Sequence, residues 1–176
     1  MQQIAWFNRT FYFHETQNVF PALIERLSGT PVRLEEKVSS IAPNHLEVKH
    51  GGSWSIKENI GHLIELEPLW RNRLHDVLTG KQEMQPADLG NTSTHEGNYN
   101  AKPIDGILAT FRLVRFQTIT KLKSLTEDDI FKSAYHPRLK QPMRVLDLFY
   151  FVAEHDDYHL ARITEILNLL ETRQES

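Results

Sequence analysis

Apolar positions recur with helical spacing along most of the chain, and no sustained alternating run marks a strand. The clearest stripe follows Trp54 and comprises Ile56, Ile60, Leu63, Trp70, Leu74 and Val77. Ser55-Ile56-Lys57-Glu58 reads as a capping box at its start, with Ser55 bonding the Glu58 amide and Glu58 reaching back. Gly80 ends the run. An earlier helical region extends from about Thr16 to Ile41. A break is expected there at Gly29-Thr30-Pro31, where Thr30 can cap and Pro31 suits a first helical turn. Residues 42–54, rich in Pro, Asn, His and Gly, form a loop.

A third helix opens at Pro103 and runs to about Leu125, burying Ile107, Leu108, Phe111, Val114, Thr118, Ile119 and Leu122. Thr126 to Asp129 begins a short helical turn, residues 133–142 are expected to be irregular, and a last helix spans about Met143 to Glu171. Met84 to Ala101 reads as a long polar loop, a length uncommon in compact domains and often functional. Four long helices predict an all-α fold, an antiparallel four-helix bundle occupying residues 1–176 as a single domain. The two halves look loosely alike, which points to two stacked helical hairpins.

Composition narrows the chemistry. The absence of cysteine excludes disulfides, thiolate metal ligands, iron–sulfur clusters and a cysteine nucleophile. Formal net charge is −3 and no basic stripe stands out, so no nucleic-acid partner is expected. The first residues carry no basic-then-apolar leader pattern. The most apolar stretch, Val145 to Ala153, is broken by Asp147 and falls short of the ~20 residues a membrane span needs. A cytoplasmic location is the expectation.

Of nine histidines, His14, His45, His50, His95 and His136 fall in or near expected loops, and His75 on a helix surface. His155 and His159 differ. On a helix their spacing puts the Cβ atoms roughly 5–6 Å apart on one face. That face is the core stripe of Val145, Leu148, Phe149, Val152, Ile163, Ile166, Leu167 and Leu170, while Glu154, Asp157 and Arg162 fall mostly outside it. Two imidazoles turned into an apolar core require hydrogen-bond partners or a metal ion. His62 is the third candidate, about two turns into the second helix and next to Gly61, which can permit a close approach by another helix. Glu58, one turn earlier on the same face, is the candidate acid/base or ligand-supporting group, although the capping box already accounts for it. Asp156 could orient an imidazole or be solvated. His155-Asp156-Asp157-Tyr158-His159 is a poor zincin motif, with Asp for Glu and no later histidine.

Trp54-Ser55-Ile56-Lys57-Glu58-Asn59-Ile60-Gly61-His62-Leu63 resembles the second-helix signature of the DinB-like superfamily of damage-inducible proteins. His155-Asp156-Asp157-Tyr158-His159-Leu160-Ala161-Arg162-Ile163 resembles that family's closing helix. The order and separation of the blocks also fit, and the likeness extends from about Thr16 to Leu170. The resemblance implies a four-helix bundle holding one divalent metal ion, nickel or zinc, on His62, His155 and His159, with open positions for water or substrate. It implies a metal-dependent hydrolase or a low-molecular-weight-thiol S-transferase acting on a small molecule, a cellular thiol among the candidates, and a homodimer. Arg162 departs from the Gln that often follows the pair, at a position that bears on substrate contacts. The alternative is a stress-response protein that binds metal or a small molecule without turnover. An open pocket beside the histidines favours the enzyme, and a closed or salt-bridged cluster the binding protein. Loss of activity at acid pH is expected on the scale of histidine's reference pKa of about 6.5.

Overall fold

A computed structural model describes residues 3–13 and 16–174, with side chains as far as residue 170. His14, expected in a loop, lies outside the described residues. In chain order come α1 (Phe20–Val38), α2 (Ile56–Leu78), a short α3 (Thr92–Glu96), α4 (Ile104–Lys123) and a short α5 (Glu127–Phe131). The hairpin strands β1 (Ser133–His136) and β2 (Gln141–Arg144) follow, then α6 (Val145–Gln174). The four long helices α1, α2, α4 and α6 form the expected bundle. Each of α1 and α2 packs against both α4 and α6. Consecutive long helices α1 and α2 therefore lie across a diagonal, and the bundle is not a stack of two sequential hairpins. The segment between them, with a 3-10 turn at Pro43–Glu47, provides the length to cross.

Helix α1 does not break at Gly29-Thr30-Pro31 but continues through Pro31. A proline there leaves the carbonyl four residues earlier, Leu27 O, without its N–H. Arg115 Nη1 donates to that oxygen at 3.4 Å. Thr30 caps nothing, because its hydroxyl instead donates to Asp156 Oδ2 at 2.8 Å. The helix starts at Phe20 rather than Thr16, with Pro21 in its first turn and Asn18 Oδ1 accepting from the Phe20 amide at 3.2 Å.

The same residues belong to a polar layer across the bundle. Two apolar clusters fill the interior, one around Leu27, Trp70, Ile119 and Phe149, the other around Leu34, Ile60, Phe111 and Ile163. Along each long helix, the residues between these clusters are polar: Thr30, Glu67, Arg115 with Thr118, and Asp156, all buried. Arg115 donates to Glu67 Oε1 at 2.6 Å and to both oxygens of Asp156 at 2.5 and 2.9 Å, and Thr118 Oγ1 bonds Glu67. Burial alone would lower the Arg115 pKa, but the two carboxylates hold it above its ordinary value. Burial pushes the Glu67 carboxyl up, against the pull of Arg115. Asp156 therefore neither orients an imidazole nor meets solvent.

Residues 133–144 are not irregular. They form an antiparallel hairpin with Ala134 opposite Met143 and His136 opposite Gln141. Ala134, His136 and Met143 point inward and are buried. Residues 82–84 bond the other edge of β1, through Tyr135 N to Gln82 O at 2.8 Å and Met84 N to Tyr135 O at 3.0 Å. Pro142 sits on the outer strand, where a missing donor is tolerated. Met143 and Arg144 consequently belong to β2, and α6 begins at Val145, with Asp147 Oδ2 accepting from the Arg144 amide at 3.0 Å. Among the described residues, no helix is long and apolar enough to cross a membrane.

Candidate metal centre

The local sequence positions α2 first. Ser55 accepts from the Glu58 amide at 3.1 Å, and Glu58 Oε2 accepts from the Ser55 amide at 2.9 Å, so the capping box is present. Ile56, Ile60 and Leu63 anchor the helix in the core and turn Asn59 and His62 into the interior. On α6, Phe151, Val152, Leu160 and Ile163 do the same for His155 and His159.

His62, His155 and His159 come together, with ligand atoms all within 4.8 Å of one another. Each is 4–5% exposed. His62 Nδ1 meets Thr94 Oγ1 at 3.1 Å, which leaves its Nε2 free. His159 Nδ1 meets Asn59 Oδ1 at 2.8 Å. His159 Nε2 lies 3.3 Å from His155 Nε2, while His155 Nδ1 is buried with no hydrogen-bond partner among the described residues. Burial, and then repulsion from nearby His95, lower the His62 pKa to about 4. Burial and neighbouring positive groups lower His155 and His159 well below the usual imidazole value. All three rings are therefore neutral at neutral pH, the form that ligates metals.

The donor set fits a divalent cation. It offers three neutral imidazoles whose outer nitrogens are held by an amide and a hydroxyl, and one orphaned buried nitrogen on the third. Three nitrogen ligands leave coordination positions open, the pattern of catalytic zinc sites. The cluster is not closed off. It lines a cavity of about 290 Å³ together with Trp6, Trp54 and Trp70. The Trp54 ring lies 4.6 Å from that of His62, and the Trp6 ring 4.8 Å from that of His155.

Glu58 is elsewhere. One carboxylate oxygen takes the Ser55 amide and the other pairs with Lys49 Nζ at 2.6 Å. Burial would raise its pKa, but Lys49 and the cap bonds outweigh this and lower it. It does not line the cavity. Arg162 does, but its Nη1 is occupied by Glu165 at 2.5 Å.

Several contributors escaped the sequence patterns. The helical periodicity assigns Asn59 no role, yet the structure turns it into the interior. Thr94 and Tyr99 belong to the stretch expected to be a polar loop, which contains α3 and a 3-10 turn instead. Both are buried. Gly61 does permit a close approach, but by the Tyr99 ring and not by a helix: any Cβ at Gly61 would overlap that ring. His136, expected to be an ordinary loop residue, is 1% exposed. His75 is on the helix surface as expected.

Comparison with known proteins bears on the family and the fold. A family model described as the DinB superfamily matches residues 12–163. A Bacillus pumilus protein provisionally named a metal-dependent hydrolase is 24% identical over 156 residues, covering 88% of each chain. YfiT of Bacillus subtilis, similarly named, is 23% identical over 145 residues, covering 81% of each. The solved structure of YfiT, described as having an unusual four-helix bundle topology, superposes with a TM-score of 0.79 at 21% identity. It covers 93% of this chain and 94% of that one.

Proposed function

The chain belongs to the DinB superfamily, and on that footing we propose that it is a metal-dependent enzyme, a hydrolase or a low-molecular-weight-thiol S-transferase, whose substrate occupies the cavity beside His62, His155 and His159. One observation carries the proposal. Three neutral imidazoles converge on the wall of an open cavity, and their hydrogen-bond partners are an amide, a hydroxyl and each other. A closed or salt-bridged cluster would favour a binding protein without turnover.

A divalent ion on these rings, nickel or zinc, supplies Lewis-acid polarisation of an oxygen or sulfur ligand, undiminished by any ligand carboxylate. The chain's own residues orient and enclose. Asn59 and Thr94 fix the outer nitrogens of His159 and His62. Trp6, Trp54 and Trp70 provide apolar walls that exclude water from one side of a bound molecule. Glu58, held by the cap and Lys49, anchors α2, and we assign it no proton transfer.

Elemental analysis of the purified protein, followed by ester-hydrolysis and thiol-transfer screens before and after chelation, tests this. Turnover lost on chelation and restored by nickel or zinc is the expected result. Full turnover by metal-free protein would rule the proposal out.

A further inference from the structure

Arg73 and Arg138 line the same cavity as the three histidines. Arg73, on α2, is 2% exposed. Its Nε donates to Gln85 O at 2.8 Å, and its Nη1 lies 2.9 Å from His136 Nε2. The other ring nitrogen of His136 faces the amides of Arg138 and Leu139, at 3.2 and 3.1 Å. Guanidinium and amide N–H groups only donate, whereas a neutral imidazole accepts at a single nitrogen. On one side of His136, therefore, donor faces donor. Arg138 adds to the surplus, because its Nη2 is buried with no hydrogen-bond partner among the described residues.

The nearby carboxylates are already engaged. Asp76 accepts from the Gln85 amide at 2.8 Å and pairs with Lys81 at 2.7 Å. Asp88, which also lines the cavity, accepts from the amides of Gly90 and Thr92 at 2.9 and 2.7 Å. Burial and the charge of Arg138 lower the Arg73 pKa to about 10, which still leaves it protonated at neutral pH. Two charged guanidiniums thus share one cavity wall, and among the described residues no carboxylate is bonded to either.

We infer that this corner binds an anionic oxygen group, a carboxylate or a phosphate, on the small molecule whose reacting end lies at His62, His155 and His159. The guanidinium fork matches the geometry of both anions. An aromatic path joins the two ends: Trp6 packs on His155 and Phe151, and Arg138 lies over the Phe151 ring at 5.6 Å. A flat or apolar linker suits that path. The inference rests on the proposal that this cavity is the substrate site, but the anion corner has its own donors and can be tested separately.

The test titrates the full chain with benzoate, phenyl phosphate and neutral benzamide, reading tryptophan fluorescence from Trp6, Trp54 and Trp70, with and without zinc. Benzoate or phenyl phosphate is expected to bind in preference to benzamide, and whichever binds identifies the anion. Arg138→Met, confirmed folded by circular dichroism, is expected to weaken that binding by about tenfold or more. Equal binding of benzamide by the unaltered protein, or anion binding unchanged in Arg138→Met, overturns the inference. So does the absence of binding by both anions. Zinc content is measured on the same samples. Zinc binding without anion binding removes the anion corner alone, and anion binding without zinc binding removes the metal proposal alone.

Discussion

Asn59 Oδ1 lies 2.8 Å from His159 Nδ1, and the orientation of the Asn59 amide determines which tautomer that ring adopts. Asn59 Nδ2 donates to the carbonyls of Ser55 and Trp54 at 2.8 and 3.3 Å. Its oxygen is thereby turned to the ring and must accept, so Nδ1 of His159 carries the proton and Nε2 presents a lone pair. Asn59→Leu removes this constraint. Zinc affinity is expected to fall about 10–100-fold, the usual effect of losing a group that orients a ligand. Competition against a chromogenic chelator reads it, and unchanged affinity would show that the ring needs no such support.

His159→Ala is expected to abolish stoichiometric zinc binding, because it removes one of the three converging nitrogens. His75→Ala, on the exposed surface of α2, serves as the control and should keep full metal content. Dialysed mutant protein that retains its zinc would place the site elsewhere.

Acid should affect metal binding later than a free imidazole scale implies. Burial brings the His62 pKa from 6.5 to about 4, and those of His155 and His159 well below 6.5. Protons therefore compete for the ligands only below pH 6.5, and the expected acid limit moves down accordingly. Zinc titrations at pH 7 and 5.5 should differ little. A steep loss of affinity across that interval would mean that the rings titrate as if exposed.

The metal-free fold should itself be acid-sensitive. Burial, then the charges of Arg73 and Arg138, lower the His136 pKa from 6.5 to about 3. Between those values the unfolded chain binds a proton that the folded chain refuses, so stability falls as pH drops through the window. Melting temperatures of metal-free protein should decline from pH 7 to 5, and His136→Gln should make the decline shallower, His62, His155 and His159 supplying the remainder. Parallel curves for the two proteins would be the contrary result.

Arg115→Ala is expected to destabilise the fold by about 3–5 kcal/mol, because Glu67 and Asp156 lose their shared buried counter-charge. Urea unfolding measures it, and a cost under about 1 kcal/mol would mean that water or another cation reaches the layer.

The helical periodicity, the Ser55–Glu58 cap and the inward face of His155 and His159 were legible in the sequence. Each depends on hydrogen bonds or side-chain repeats that close within one or two turns. His62 was legible as a third candidate about two turns into the second helix, and the family signature joined it to the pair. Tertiary structure decided what those residues meet. Pro31 should end a helix by local rules, yet α1 continues, with Arg115 reaching Leu27 O from another helix. The hairpin at residues 133–144 is too short to show an alternating pattern and is held along one edge by residues 82–84. Glu58 and Asp156 carry the right chemistry for a site but spend it on a cap and on a buried guanidinium. A buried polar group must be satisfied by whatever long-range packing brings near it, and spacing along one chain does not encode that partner.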